Sequence, residues 1–284
     1  MEISVEVGIN LVLENMKGCV SWTMFEFISA LSPAEWVFFG IAGIITGAIN
    51  TLAGSGSLIT LPIYIFLCGL PAPVANGTNR IGVLIQSFVG IYSFRKSGHL
   101  PLQNILWLLI PAIIGAILGA LTAVDLDEKQ MNLAIGILMV FMLLVLMVKP
   151  KRWLREAIGD RSFNKKWYNS LLFLGIGFYG GFIQAGVGIF LLAALVLGAR
   201  YTLTQANAVK LLCVAVFSIP ALFIFFTNGQ VEWAFGLAMA LFQSIGAYLG
   251  VQFAAKVPQS EKWIHRLLIL IVVVSASKFL GLWG

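Results

Sequence analysis

Asn50-Thr51-Leu52-Ala53-Gly54-Ser55-Gly56-Ser57 interrupts one hydrophobic block, and Ala185-Gly186-Val187-Gly188 interrupts another about 131 residues later. Nearly the same offset relates Ala75-Asn76 to Ala206-Asn207. It also relates Ile114-Gly115-Ala116-Ile117-Leu118-Gly119 to Ile245-Gly246-Ala247-Tyr248-Leu249-Gly250. A duplication carried in apolar sequence is the pattern of a two-halved membrane protein with its working site between the halves.

Composition agrees. Hydrophobic residues make up 60% of the 284 and charged residues 11%, against about 25% charged in an ordinary soluble domain. That much apolar surface requires lipid as solvent. The net charge of +6 is no sign of nucleic acid. Seven of the 18 cations fall in Lys149–Lys166, between hydrophobic blocks, as in a positive-inside loop. Cys19, Cys68 and Cys213 form no CxxC pair and read as packing residues; His99 and His265 stand alone, so neither a metal nor another cofactor is called for. The acidic start (Glu2, Glu6, Glu14) is unlike a signal peptide. Trp22, Phe25, Phe27 and Ile28 beside Glu26 fit an amphipathic segment lying on the membrane.

The hydrophobic blocks run 34–53, 57–70, 74–94, 103–124 and 131–148, then 168–185, 188–200, 204–226, 231–252 and 263–283. Most are long enough to cross about 30 Å of hydrocarbon. The second block of each set is short and begins at the repeated Gly-x-Gly. This predicts an all-α polytopic fold of about ten transmembrane elements in two repeats of five, with short broken helices at the midplane. The chain divides into an N-terminal interfacial segment (1–33), a first repeat (34–148), a basic cytoplasmic loop (149–167) and a second repeat (168–284). With that loop inside, Arg95-Lys96, Arg200, Lys256 and Lys262 also fall inside, and Asp125, Asp127, Glu128 and Glu232 outside; Lys17 and Lys129 are exceptions. Five elements per repeat is odd, so the second copy enters from the opposite side and the repeats are inverted.

In a bilayer a helix break is tolerated only within protein or beside a water-filled cavity. The Gly-x-Gly turns bring bare backbone to such a cavity. A helix starting at Ser57 would aim N–H groups at it, which suits an anion. Candidate substrate ligands are Asn50, Thr51, Gly54, Ser55, Gly56 and Ser57 at the first break, and Gln184, Gly186 and Gly188 at the second. Asn76, Thr78, Asn79 and Arg80 follow Pro71 and Pro73 into the third block; Asn207 and Lys210 take the matching positions in the second copy. A bland alternative is available to each: glycines for close helix packing, cations snorkelling to the interface. For Gly115/Gly119 and Gly246/Gly250 packing is the preferred reading. No carboxylate sits near the centre of a span, so a buried acidic proton relay is disfavoured, and the negative charge that Arg80 and Lys210 lack is supplied by substrate.

Around these residues the chain resembles the TauE/SafE family of anion permeases. The resemblance rests on the run Gly43, Gly47, Asn50-Thr51-Leu52-Ala53-Gly54-Ser55-Gly56-Ser57 and Pro62, then Ala75-Asn76-Gly77-Thr78-Asn79, and covers about residues 36–283. It implies a multi-pass carrier of the cytoplasmic membrane that exports sulfite or an organosulfonate. The second copy departs from the pattern, with a sparser Gly186-Val187-Gly188 and Ala194 in place of the proline. The expected partners are a small anion and the lipid bilayer, and a homo-oligomer is compatible with the sequence. An anion-selective channel is the alternative function. An intramembrane enzyme would need a nucleophile with a base, or a metal cluster, and neither is evident.

Overall fold

The computed structural model describes residues 29–96, 105–147, 167–198 and 201–256, with Phe27, Val273 and Ser277. Nearly all of the N-terminal segment, the basic loop and the last hydrophobic block lie outside the described residues. The helices are α1 (Pro33–Ala53), α2 (Ser57–Pro62), α3 (Ala72–Lys96), α4 (Leu106–Val124), α5 (Glu128–Met147), α6 (Trp167–Phe182), α7 (Val187–Ala193), α8 (Leu203–Thr227) and α9 (Trp233–Lys256). The short helices α2 and α7 each run on into a π-helical turn, Ile63–Leu67 and Ala194–Gly198. The sequence of long, short-plus-π, long, long therefore occurs twice among the described residues.

Local chemistry starts and stops these helices. Ser32 and Glu35 form a capping box at the start of α1, with the Ser32 amide donating to the Glu35 carboxylate at 2.8 Å. Thr202 and Gln205 do the same for α8. Gly54 ends α1 at φ 73° and Gly186 precedes α7 at φ 74°, the left-handed backbone that glycine adopts without strain.

Five described helices are long and apolar enough to cross a membrane: Pro33–Ala53, Leu106–Val124, Glu128–Val145, Thr204–Thr227 and Trp233–Gln252. Helix α3 is as long but carries Asn76, Asn79, Arg80 and Gln86, all buried among its neighbours. These polar residues face protein rather than solvent, and the Gln86 amide has no hydrogen-bond partner. Outward, each long helix presents an apolar stripe. Leu106, Ile110, Ile114 and Leu118 recur at every fourth position of α4, and Leu133, Ile137 and Phe141 do so on α5. An exposed stripe of this composition faces lipid.

Two glycine crossings set the core. Helix α1 packs on α9, and α4 on α6. A Cβ at Gly47 would lie 2.1 Å from the Gln243 carbonyl oxygen, and one at Gly246 would lie 1.9 Å from that of Ile44. In the other crossing, Cβ atoms at Gly115 and Gly119 would lie 2.0 Å from the Leu174 and Phe178 carbonyls, and Gly177 and Gly181 meet Ala112 and Ala116 as closely. The small-xxx-small spacing is thus the packing device expected of it. The first long helix of each copy packs on the fourth element of the other, α1 on α9 and α6 on α4, while α3 and α8 pack together between them.

Gly246→Ala should lower stability in detergent by about 1–3 kcal/mol, the usual cost of forcing a side chain into a packed crossing. An unchanged thermal unfolding midpoint would show that α1 and α9 do not cross there.

Candidate functional site

The two helix breaks meet at backbone level. The Gly188 amide donates to the Gly54 carbonyl at 3.1 Å. A Cβ on Gly54 would lie 2.4 Å from the Gly188 Cα, and one on Gly188 would lie 2.3 Å from the Gly54 Cα. No side chain fits between them, so both positions require glycine for approach, and Gly54 requires it for the turn as well. Around this contact Asn50, Gly54, Ser57, Gln184, Gly188 and Lys210 line a small cavity, and Val83, Val187, Leu211 and Val214 complete its wall. Its interior has room for little more than one water molecule. An anion of several heavy atoms enters only if the walls part.

Lys210 is 1% exposed. Its ammonium donates to the backbone oxygens of Asn50 (3.0 Å) and Thr51 (2.8 Å) and to Asn207 Oδ1 (2.8 Å). Asn50 and Thr51 belong to the last turn of α1; the Asn50 carbonyl also accepts from the Gly54 amide at 2.9 Å, and both oxygens sit at the negative end of the helix dipole. Arg80, also fully buried, does the corresponding thing for α6. Its Nη1 donates to Gly180 O at 3.1 Å; its Nη2 donates to Gly181 O at 2.5 Å and reaches Phe182 O at 3.5 Å. The guanidinium carbon lies 4.4 Å from the centre of the Phe225 ring, a cation–π distance. Each cation sits on the third helix of one copy and caps the broken first helix of the other.

These bonds revise one premise of the sequence reading. Arg80 and Lys210 are not unpaired: helix-end carbonyls accept from both. Those partners are dipoles, so the formal charge of each cation is stabilised but not cancelled.

The remaining candidates divide in the same way. Gln184 donates to Ser218 Oγ at 2.6 Å, and its Oε1 has no hydrogen-bond partner. Turning the amide by 180° keeps the Ser218 bond, with the hydroxyl donating, and frees the N–H2 pair. Asn50 Oδ1 accepts from the Gly56 amide at 3.3 Å. The Gly56 and Gly188 N–H groups are therefore both engaged within the protein. Asn79 donates to Ser57 Oγ (3.0 Å) and accepts from Thr60 Oγ1 (2.5 Å), tying α3 to α2. Asn76 joins Arg80 on the Phe182 carbonyl at 2.8 Å, and Thr78 Oγ1 accepts from the Glu232 amide at 2.8 Å. The hydroxyls of Thr51 and Ser55 are buried without a hydrogen-bond partner. Thr51, Ser55, Gly56, Asn76, Thr78, Asn79, Arg80, Gly186 and Asn207 do not line the cavity; they surround or support the residues that do.

Sequence reasoning passed over Val83, Val187, Leu211 and Val214, because aliphatic residues in apolar blocks carry no signal of their own. It also passed over Tyr179, whose hydroxyl donates to the Ala185 carbonyl and braces the second break.

A family model described as sulfite exporter TauE/SafE matches residues 39–279. The chain belongs to the TauE/SafE family. It is a multi-pass membrane transporter of that family, and the resemblance noted at the first Gly-x-Gly extends across nearly the whole chain. Among relatives, a probable membrane transporter protein (ORF9) of Sinorhizobium sp is 28% identical over 248 residues, covering 86% of this chain and 92% of the relative. The probable membrane transporter protein YfcA of Escherichia coli K12 is 25% identical, covering 90% and 93%. YunE of Bacillus subtilis, also named a probable membrane transporter protein, is 21% identical, covering 86% and 97%. No solved structure matches the chain.

Arg80→Met removes the cap from α6 and should cost about 1.5–3 kcal/mol, the range for hydrogen bonds to a charged group. Arg80→Lys, which keeps a donor on those carbonyls, should cost less. Equal unfolding midpoints for the two variants in detergent would show that the capping bonds do not stabilise the protein.

Proposed function

We propose that the protein is a secondary carrier that exports a small anion, sulfite or an organosulfonate, across the cytoplasmic membrane by alternating access between two inverted repeats. The observation that carries this reading is the cavity between the two helix breaks. It contains a buried ammonium, two amides, a hydroxyl and no carboxylate. A cation fixed in a low-dielectric setting attracts a substrate of opposite sign and repels a cation such as sodium. Arg80 adds to that potential from one helical turn behind Val83. The description attached to the family model, sulfite exporter, supports the same sign of substrate.

Inversion of the repeats is supported by the reciprocal pattern of contacts. Helix α1 packs on α9 as α6 packs on α4, and Lys210 caps α1 as Arg80 caps α6. An exchange of equivalent partners is what a pseudo-two-fold axis generates, and an odd number of elements per repeat puts that axis in the membrane plane. In this reading residues 34–148 and 168–284 are the repeats, and the basic 149–167 loop is cytoplasmic. Rocking of one repeat against the other opens the Gly54–Gly188 contact alternately to either side. A carrier of this kind accounts for a closed cavity better than a channel does, since a pore needs a continuous path.

The test is flux in proteoliposomes loaded with sulfite or with a short alkylsulfonate. Wild-type flux should saturate and show counterflow. Lys210→Gln should reduce it about tenfold or more, the effect of losing one charge-assisted hydrogen bond at the site. Ohmic current, or wild-type flux in the variant, would exclude this function for the cavity. Orientation is checked separately. A cysteine placed at Asn164 should react with an impermeant maleimide only from the inside, and one at Asp127 only from the outside; the reverse pattern would invert the assignment.

A further inference from the structure

The two capping cations occupy matching places but differ in one respect: Lys210 lines the cavity and Arg80 does not. An ammonium has three N–H donors. All three of Lys210 have acceptors within 3.0 Å: Asn50 O, Thr51 O and Asn207 Oδ1. An anion in the cavity can be held by Lys210 only if one of those bonds is given up. Two of the three hold the end of α1, and Asn50 and Gly54 at that end are themselves cavity wall. Arg80 is placed differently. Its fork lies across adjacent carbonyls of α6, and its plane is packed by Phe225. A planar guanidinium used this way is a rigid brace, whereas an ammonium on a four-carbon stem can swing between partners.

We propose that Lys210 is a movable clamp and Arg80 a fixed one: transfer of the Lys210 ammonium from the α1 carbonyls to the bound anion releases the end of α1 and lets the cavity open. The same bond exchange that recognises substrate would then part the walls, so binding and opening are coupled through one side chain. Release is confined to the first break; the second, braced by Arg80, Tyr179 and Gln184, stays put and serves as the surface against which α1 moves. This rests on the carrier reading for the identity of the ligand, but the clamp itself does not.

The probe is a cysteine at Ser55, a buried position in the first break whose hydroxyl has no hydrogen-bond partner, with maleimide labelling followed in detergent. With Lys210 present, labelling should be slow and should rise several-fold on adding sulfite or ethanesulfonate. With Lys210→Met, labelling should be fast without any anion and should no longer respond to it. Slow labelling in that variant, or a retained response to anion, would overturn the clamp. With Arg80→Lys the anion response should persist; its loss there would show that the two cations are not divided in role.

Lys210→Arg retains charge and guards against a folding artefact. Five donors can hold the α1 carbonyls and the anion together, so the half-saturating anion concentration should stay near wild type while turnover falls. Unchanged turnover would count against the release step. The anion-free comparison of Ser55→Cys with and without Lys210 reports on the clamp alone, and flux measured in parallel reports on the carrier reading, so the two can fail separately.

Discussion

A helix that ends inside a membrane leaves its last carbonyls without partners, and in hydrocarbon each such group costs several kcal/mol. Two helices of this protein, α1 and α6, end in that way. The rest of the interior is organised around meeting the cost. Lys210 donates to the last turn of α1 and Arg80 to the last turn of α6, each reaching across from the third helix of the other copy. The cations gain the negative ends of two helix dipoles, and the helix ends gain charge-assisted donors. Neither member of such a pair would be stable in the bilayer alone. Their mutual dependence ties the two copies together at the level where both chains break.

This arrangement also explains why the cavity lies where it does. Capping consumes the C-terminal carbonyls of the broken helices but not the space beyond them, where the chain turns through Gly54 and Gly186 before the short helices begin. Partial negative charge on carbonyls compensates a full positive charge only in part. The positive potential that remains is directed at the gap between the breaks. Aliphatic walls from Val83, Val187, Leu211 and Val214 keep the local dielectric low, so that potential is not dissipated by water. A site for an anion arises from the way the helix ends are satisfied.

The helix breaks were legible in the sequence because each Gly-x-Gly precedes an unusually short hydrophobic block at the same place in both copies. The boundaries of the hydrophobic blocks fall close to those of the helices. The Gly115/Gly119 and Gly246/Gly250 pairs read as packing from their spacing, and their helices cross there. The partners of Arg80 and Lys210 were not legible. Apart from Asn207 Oδ1 they are backbone oxygens about 100 and 160 residues away, and a carbonyl is present at every position of every sequence. Counting only side-chain charges made the cations look unpaired. The π turns after α2 and α7 were equally hidden. Pro62 precedes one of them, but the other begins at Ala194 without a proline, so no shared residue type marks them.

The difference between the two cations is also a matter of register. The offset that aligns Asn76 with Asn207 places Lys210 opposite Asn79, not opposite Arg80. One residue along a helix is a rotation of about 100°. Asn79 contacts Ser57 and Lys210 contacts the end of α1, and Ser57 and Lys210 both form cavity wall. That helical position therefore lines the cavity in the second copy and supports its wall in the first. Arg80, one residue further, is turned toward α6 and Phe225. A shift of a single residue, in a sequence otherwise duplicated, leaves one charge facing the cavity and commits the other to holding the frame. The broken register lets the protein cap both helix ends and still present only one cation to the cavity.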